Sequence, residues 1–189
     1  MRLSVLAICL ALTVAGCFGA GGRSSSPAAS MTQSVPLKAC RGSELEITLV
    51  RSFVAAGNVG GSIGFTNHAA NPCNLSGWPR LVAVTKAGIS TRAKRVRSTM
   101  FGPRPSIVGV PVVKLRHGER AEAVFAASDI PGPGETSCPP PYRRLRVTPP
   151  GNSKGLLLSA WLPNLDAYLP SCSRVVVTMM VSAAELRGG

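Results

Sequence analysis

Short alternating apolar segments, each closed off by glycine or proline, constrain this 189-residue chain more than any other feature. Leu45-Glu46-Ile47-Thr48-Leu49-Val50-Arg51 alternates, is rich in β-formers and runs on towards Gly57. Ser62 to Asn67 alternates again ahead of the turn-like Asn71-Pro72-Cys73, and Leu81 to Thr85 follows Trp78-Pro79. Leu145 to Thr148 stops at Pro149-Pro150-Gly151, and Leu156 to Leu158 and Val175 to Val181 complete the set. Val110 to Leu115 leads through His117-Gly118 into Ala121 to Ala126, which reads as a hairpin by its turn chemistry. A period of two sends successive side chains to opposite faces of a sheet. With about eight such strands and no long amphipathic helix, the expected fold is all-β, an antiparallel β-sandwich. At 45% hydrophobic residues the chain can fill one such core.

The first residues are of another kind. Met1-Arg2 is a short positive region, and Leu3 to Val14 is almost wholly apolar. That run is too short to span a bilayer as a helix but suits a secretory signal. It ends in Val14-Ala15-Gly16-Cys17, which resembles the bacterial lipoprotein signal, where small residues precede a cysteine that is acylated and becomes the new N-terminus. The resemblance implies a signal peptide over 1–16 and a lipid anchor on Cys17. Two or more acyl chains hold a protein stably where one is marginal. Residues 17–38 have the Gly, Ala, Ser and Pro composition of a flexible linker, with a random-coil span of roughly 25 Å. The sandwich domain is expected over 39–184, with a tail at 185–189. The membrane, reached through the lipid, is the first expected partner, at the extracytoplasmic face.

Export changes the meaning of the cysteines. Cys9 leaves with the signal and Cys17 takes lipid, so Cys40, Cys73, Cys138 and Cys172 remain. An even number in an oxidising compartment argues for two disulfides, with three connectivities open. Sequential pairing would close two loops of nearly equal size, each stabilising by roughly 3–4 kcal/mol in the chain-entropy account. No two of these cysteines stand at CxxC spacing, and His68 and His117 are isolated in sequence, so neither a metal nor a cofactor is expected.

Together these residues resemble a known family. Cys40, Leu45 to Leu49, Ala55-Ala56-Gly57, Gly64-Phe65-Thr66-Asn67 and Cys73-Asn74-Leu75-Ser76-Gly77-Trp78-Pro79 are similar to the actinobacterial exported domain of unknown function 4232. Leu115 to Ala121, Cys138, Leu145 to Gly151 and Cys172 continue the match. The resemblance implies an immunoglobulin-like sandwich with bridges Cys40–Cys73 and Cys138–Cys172, and no activity. Trp78 follows Cys73 too closely to be the tryptophan that antibody domains place midway between their bridged cysteines.

Catalytic patterns are thin. Gly60-Gly61-Ser62-Ile63-Gly64 matches a nucleophile elbow, but that motif needs a strand, a sharp turn and a helix, whereas Ile63, Phe65 and Asn67 continue a strand. Ser62 is therefore expected as an exposed strand residue. Glu119 and Glu122 are the nearest acids to a carboxylate pair, yet three residues apart on a strand they face opposite ways. Met179-Met180 hints at copper, though on a strand one of the two belongs in the core.

Charge is the more informative signal. Lys and Arg number 21 against 8 acids, a formal net charge of +13. Between Lys86 and Arg116 stand eight basic residues (Lys86, Arg92, Lys94, Arg95, Arg97, Arg104, Lys114 and Arg116) and no acid. Much of that stretch reads as a loop between strands, where such folds carry binding. Lys86, Arg92, Lys94, Arg95 and Arg97 are the candidate contacts to an anionic wall polymer or to lipid head groups. Nucleic acid is disfavoured, because only 5% of the residues are aromatic and few could stack on bases. The expected role is a non-catalytic binding or structural module on the cell envelope, with a protein partner of unknown identity. The alternative is an envelope hydrolase acting on wall polymer.

Overall fold

The computed structural model describes residues 37–103 and 107–187. The proposed signal, Cys17 and nearly all of the linker lie outside the described residues, as does Arg104. The opening strands are β1 (Leu45–Ala55), β2 (Asn58–Asn67), β3 (Cys73–Ser76) and β4 (Arg80–Thr85). Next come β5 (Ser90–Arg92), β6 (Lys94–Arg95), β7 (Val112–Leu115) and β8 (Arg120–Ser128). After these run β9 (Tyr142–Thr148), β10 (Leu156–Ser159), β11 (Trp161–Leu162) and β12 (Ala167–Tyr168). The last elements are β13 (Val176–Val177), β14 (Val181–Ser182) and a short helix α1 (Ala183–Arg187), which takes in residues expected as tail.

The larger sheet has the order β1-β2-β8-β13-β6, with β14 also paired to β8; the smaller has the order β10-β9-β4-β5. Between the named strands pairing is antiparallel except between β13 and β6. Ile63, Phe65, Ala123 and Phe125 of the larger sheet share one buried cluster with Leu81, Ala83, Leu145 and Val147 of the smaller. The two sheets thus enclose a single core, and the chain is an all-β antiparallel fold as expected.

Cys40 is bridged to Cys73, and Cys138 to Cys172, closing loops of 33 and 34 residues. The first bridge is buried in the core, tying the segment before β1 to β3; the second is half-buried between loops.

Two sequence expectations need correction and a third needs sharpening. The segment 110–126 is not a hairpin. The turn is present, with Glu119 N–H donating to Arg116 C=O, but β7 pairs with β3 instead of β8. Both sides of β8 are already taken, by β2 on one and by β13 and β14 on the other, so β7 finds no free edge there. Much of the basic stretch is irregular, as expected, but its middle is not. Residues 90–95 run along the edge of the smaller sheet as β5 and then along the edge of the larger as β6, with Ala93 buried between them. Finally, Ser62 is completely buried. It does lie on a strand, but the outer face of the larger sheet is itself covered.

That cover follows from a bulge. Strict alternation from Leu45 would aim Arg51 into the core with Ile47 and Leu49. Instead the register shifts between Leu49 and Arg51, and Arg51 pairs with Ser62. A bulge re-aims the side chains that follow it. Arg51 and Phe53 therefore turn to the outer face, where Phe53 stacks on Phe101 with ring centroids 5.2 Å apart. Val124, Ala126 and Met179 are buried there too, outside the main core, while Met180 belongs to the core.

Candidate anionic-surface interface

The smaller sheet has a very different outer face. Leu81 and Ala83 of β4 belong to the core, so Arg80, Val82 and Val84 point outward. Val82 pairs with Arg92 on one side and Arg146 on the other, and Leu157 lies beyond Arg146. Val84 pairs with Arg144, and Arg80 with Thr148. Four exposed arginines (Arg80, Arg92, Arg144 and Arg146) thus share one face. None of the residues in the four strands is an acid.

Strand spacing sets the scale of this array. Arg92 and Arg146 stand two strands apart, about 10 Å at their backbones. At that distance in water each like-charged pair costs only about 0.4 kcal/mol. The fold therefore carries the cluster at little expense, while the summed field over the face draws anions. Arg80 Nη2 donates to Ser153 C=O at 3.2 Å, which steadies one end of the array.

Two clefts open on the rim of the sheet. A cleft of about 350 Å³ is lined by Arg80, Arg92 and Arg95 over Pro79, Leu81 and Ala93. Another, of about 590 Å³, holds Lys86 beside Arg143 and Arg144. Of the five basic residues singled out in the sequence, then, Arg92 and Arg95 meet in one cleft and Lys86 faces the other. Lys94 is exposed on β6 and lines neither, and Arg97 is tied back through Nη1 to Gly109 C=O at 3.2 Å. Arg80, Arg143, Arg144 and Arg146 were missed. Only Arg144 and Arg146 had a legible signal, since Leu145 and Val147 read as core positions leave those two on the opposite face.

A family model described as "Domain of unknown function (DUF4232)" matches residues 40–183. The chain belongs to this family. No curated protein and no solved structure matches it.

The remaining sequence candidates of this DUF4232 domain fall elsewhere. Ser62 sits beneath the covered outer face of the larger sheet, with its hydroxyl sequestered from solvent. Glu122, opposite Gly64, is also buried, and its carboxylate lies 3.3 Å from Arg51 Nη2 and 3.3 Å from Arg120 Nε. Only the Arg51 contact is aligned as a hydrogen bond. Glu119 is exposed in the turn before β8, accepting from Arg116 N–H, so the two acids share no site. His68 and His117 are not isolated in space: their rings meet edge-on at 6.4 Å, and His68 Nε2 lies 2.9 Å from Glu46 Oε2. Trp78 is half-buried and donates from its indole N–H to Val96 C=O at 2.8 Å, pinning the chain just after β6.

Proposed function

We propose that this DUF4232 chain is a lipid-anchored, non-catalytic, immunoglobulin-like module of the cell envelope that binds anionic surfaces through the outer face of its smaller sheet. The observation that carries the proposal is the acid-free face bearing Arg80, Arg92, Arg144 and Arg146. The sequence motif ending in Cys17 supports an acyl anchor at the extracytoplasmic face, and the short linker after it would keep the domain near phosphate head groups and wall polymers. Unpaired surface cations of this kind act over a Debye length, about 10 Å at 0.1 M salt, so the protein needs proximity for the face to engage.

Two results are expected. Cys17→Ser should move the protein from the membrane fraction to the medium in intact cells, as shown by fractionation and immunoblotting. Unchanged membrane retention would refute the anchor. Separately, replacing Arg80, Arg92, Arg144 and Arg146 with serine should weaken binding to isolated wall fragments or anionic vesicles at low salt by at least about tenfold, equivalent to about 1.4 kcal/mol. Because all four side chains are exposed, the thermal midpoint should stay within a few degrees of the unmodified chain.

A further inference from the structure

The β10 edge of the smaller sheet, opposite β5, adjoins an unusual pairing of rings and cations. β11 and β12 form a small hairpin around Pro163-Asn164-Leu165, and the left-handed turn at Asp166 (φ 49°) sets Trp161 directly opposite Tyr168. The two rings meet edge to face, centroids 4.9 Å apart at 71°. Leu162 is fully buried and fastens the hairpin to the core, while Trp161 and Tyr168 stay half-exposed. The guanidinium of Arg143 lies over the Tyr168 ring at 4.0 Å. This Arg143 occupies the bulge of β9, where the register with β4 shifts between Val84 and Thr85, and so it leaves the row formed by Arg144 and Arg146. A guanidinium stacked on an aromatic face has its plane fixed and its in-plane donors free to grip a carboxylate or phosphate in two places.

Trp161 and Tyr168 also line a cleft of about 640 Å³ between the edge strands β1 and β10, floored by Leu49 and Leu158. It shares Leu158, Ser159 and Tyr168 with the cleft that holds Lys86, Arg143 and Arg144. The two make one continuous groove, aromatic and apolar at one end and cationic at the other. Each half lies within the size range of small-molecule sites.

We infer that this groove binds a single residue or short run of an anionic glycan, with a pyranose ring packed against Trp161 and its carboxylate or phosphate held by Arg143, Arg144 and Lys86. A sugar ring offers an apolar C–H face that suits an indole, and it carries its acidic group at the rim, matching the division of this groove. An acidic peptide would satisfy the cations but gives the indole no ring of that kind. Tyr168 is a positioning residue: it holds Arg143 in plane and need not itself touch the ligand. The inference rests on the reading of the domain as an anion-binding envelope module and names the ligand class for one part of that surface.

Calorimetric titration of the full chain with oligogalacturonate, with the Trp161 indole N–H followed by NMR, tests the inference. Saturable binding with a shift of that resonance is expected. Trp161→Leu and Arg143→Ala should each weaken it about tenfold, and Tyr168→Leu should do the same while Tyr168→Phe, which retains the ring, should not. Neutral malto-oligosaccharide should bind far more weakly. Circular dichroism of each variant establishes that it is folded. Equal binding of polyphosphate or polyglutamate, or oligogalacturonate binding indifferent to Trp161→Leu in a folded variant, would overturn the glycan assignment and leave the basic sheet face standing. Failure of every polyanion to bind would overturn both.

Discussion

Gly60→Ala is expected to destabilise the fold by about 3 kcal/mol, at the upper end of what overpacking costs. Gly60 lies in β2 opposite Ala126 of β8, in the most extensively paired part of the larger sheet. A Cβ there would run into the carbonyl oxygen of Phe125 and come within 2.9 Å of the Ala126 Cα. Both obstacles are backbone, and Phe125 is fully buried with its ring in the core. Relief therefore requires the two strands to part, which weakens the ladder on either side. Urea titration should show a lower midpoint with an unchanged slope, and the thermal midpoint should fall by about 10 °C. Glycine at this position serves close backbone approach between two strands, not a turn. A midpoint within a degree of the native chain would show that β2 and β8 are not held so close.

Glu122→Ala should cost a comparable amount, about 3 kcal/mol. The carboxylate is 1% exposed and is the counter-ion of both Arg51 and Arg120. Removing it leaves two guanidiniums under a covered sheet face without their negative partner. Their side chains are 31% and 34% exposed, so each retains some access to water, which places the cost at the low end of the range for broken buried pairs. The triple change Arg51→Met, Glu122→Leu, Arg120→Met should recover much of the loss, because an apolar replacement removes the charges together. Denaturant midpoints of the single and triple variants check both statements. A triple variant less stable than Glu122→Ala would mean that the ion network, not its mere neutralisation, holds this face.

Much of the architecture was legible in the residues. Apolar β-forming runs bounded by Gly and Pro located β1, β2, β4, β8, β9 and β10; β1, β4 and β9 have a core face and a contrasting outer one, whereas β2 and β8 are buried on both. The two-disulfide framework followed from an even cysteine count, though its pairing came only by resemblance. What escaped has physical reasons. β5, β6, β11 and β12 are two or three residues long, too short for a period to register, and exist because neighbouring edges supply their hydrogen bonds. The partner of β7 was misjudged because a local turn signal cannot reveal that β8 is already paired on both sides. Alternation continued from Leu45 would aim Arg51 inward, and the bulge between Leu49 and Arg51 overturns it.

The site was half legible for the same reason. A run of basic residues along the chain marks 86–116, whereas the exposed arginines gather by cross-strand register: Arg92 comes from β5, Arg80 from β4, and Arg144 and Arg146 from β9. Only the last pair has a local signature, two arginines alternating with Leu145 and Val147. The ring pair Trp161 and Tyr168 depends on a two-residue hairpin that no periodicity announces.

Whether the smaller sheet binds anionic surfaces through its basic face is decided by co-sedimenting the full chain and its Arg80, Arg92, Arg144, Arg146→Ser variant with anionic and with neutral vesicles across a salt series. Between about 0.01 M and 1 M ionic strength the screening length falls from about 30 Å to about 3 Å. The excess binding of the unmodified chain to anionic over neutral vesicles should be large at the low end, vanish at the high end, and be mostly absent from the variant. An excess that persists at high salt, or that the variant retains in full, would show that this arginine face does not carry the binding.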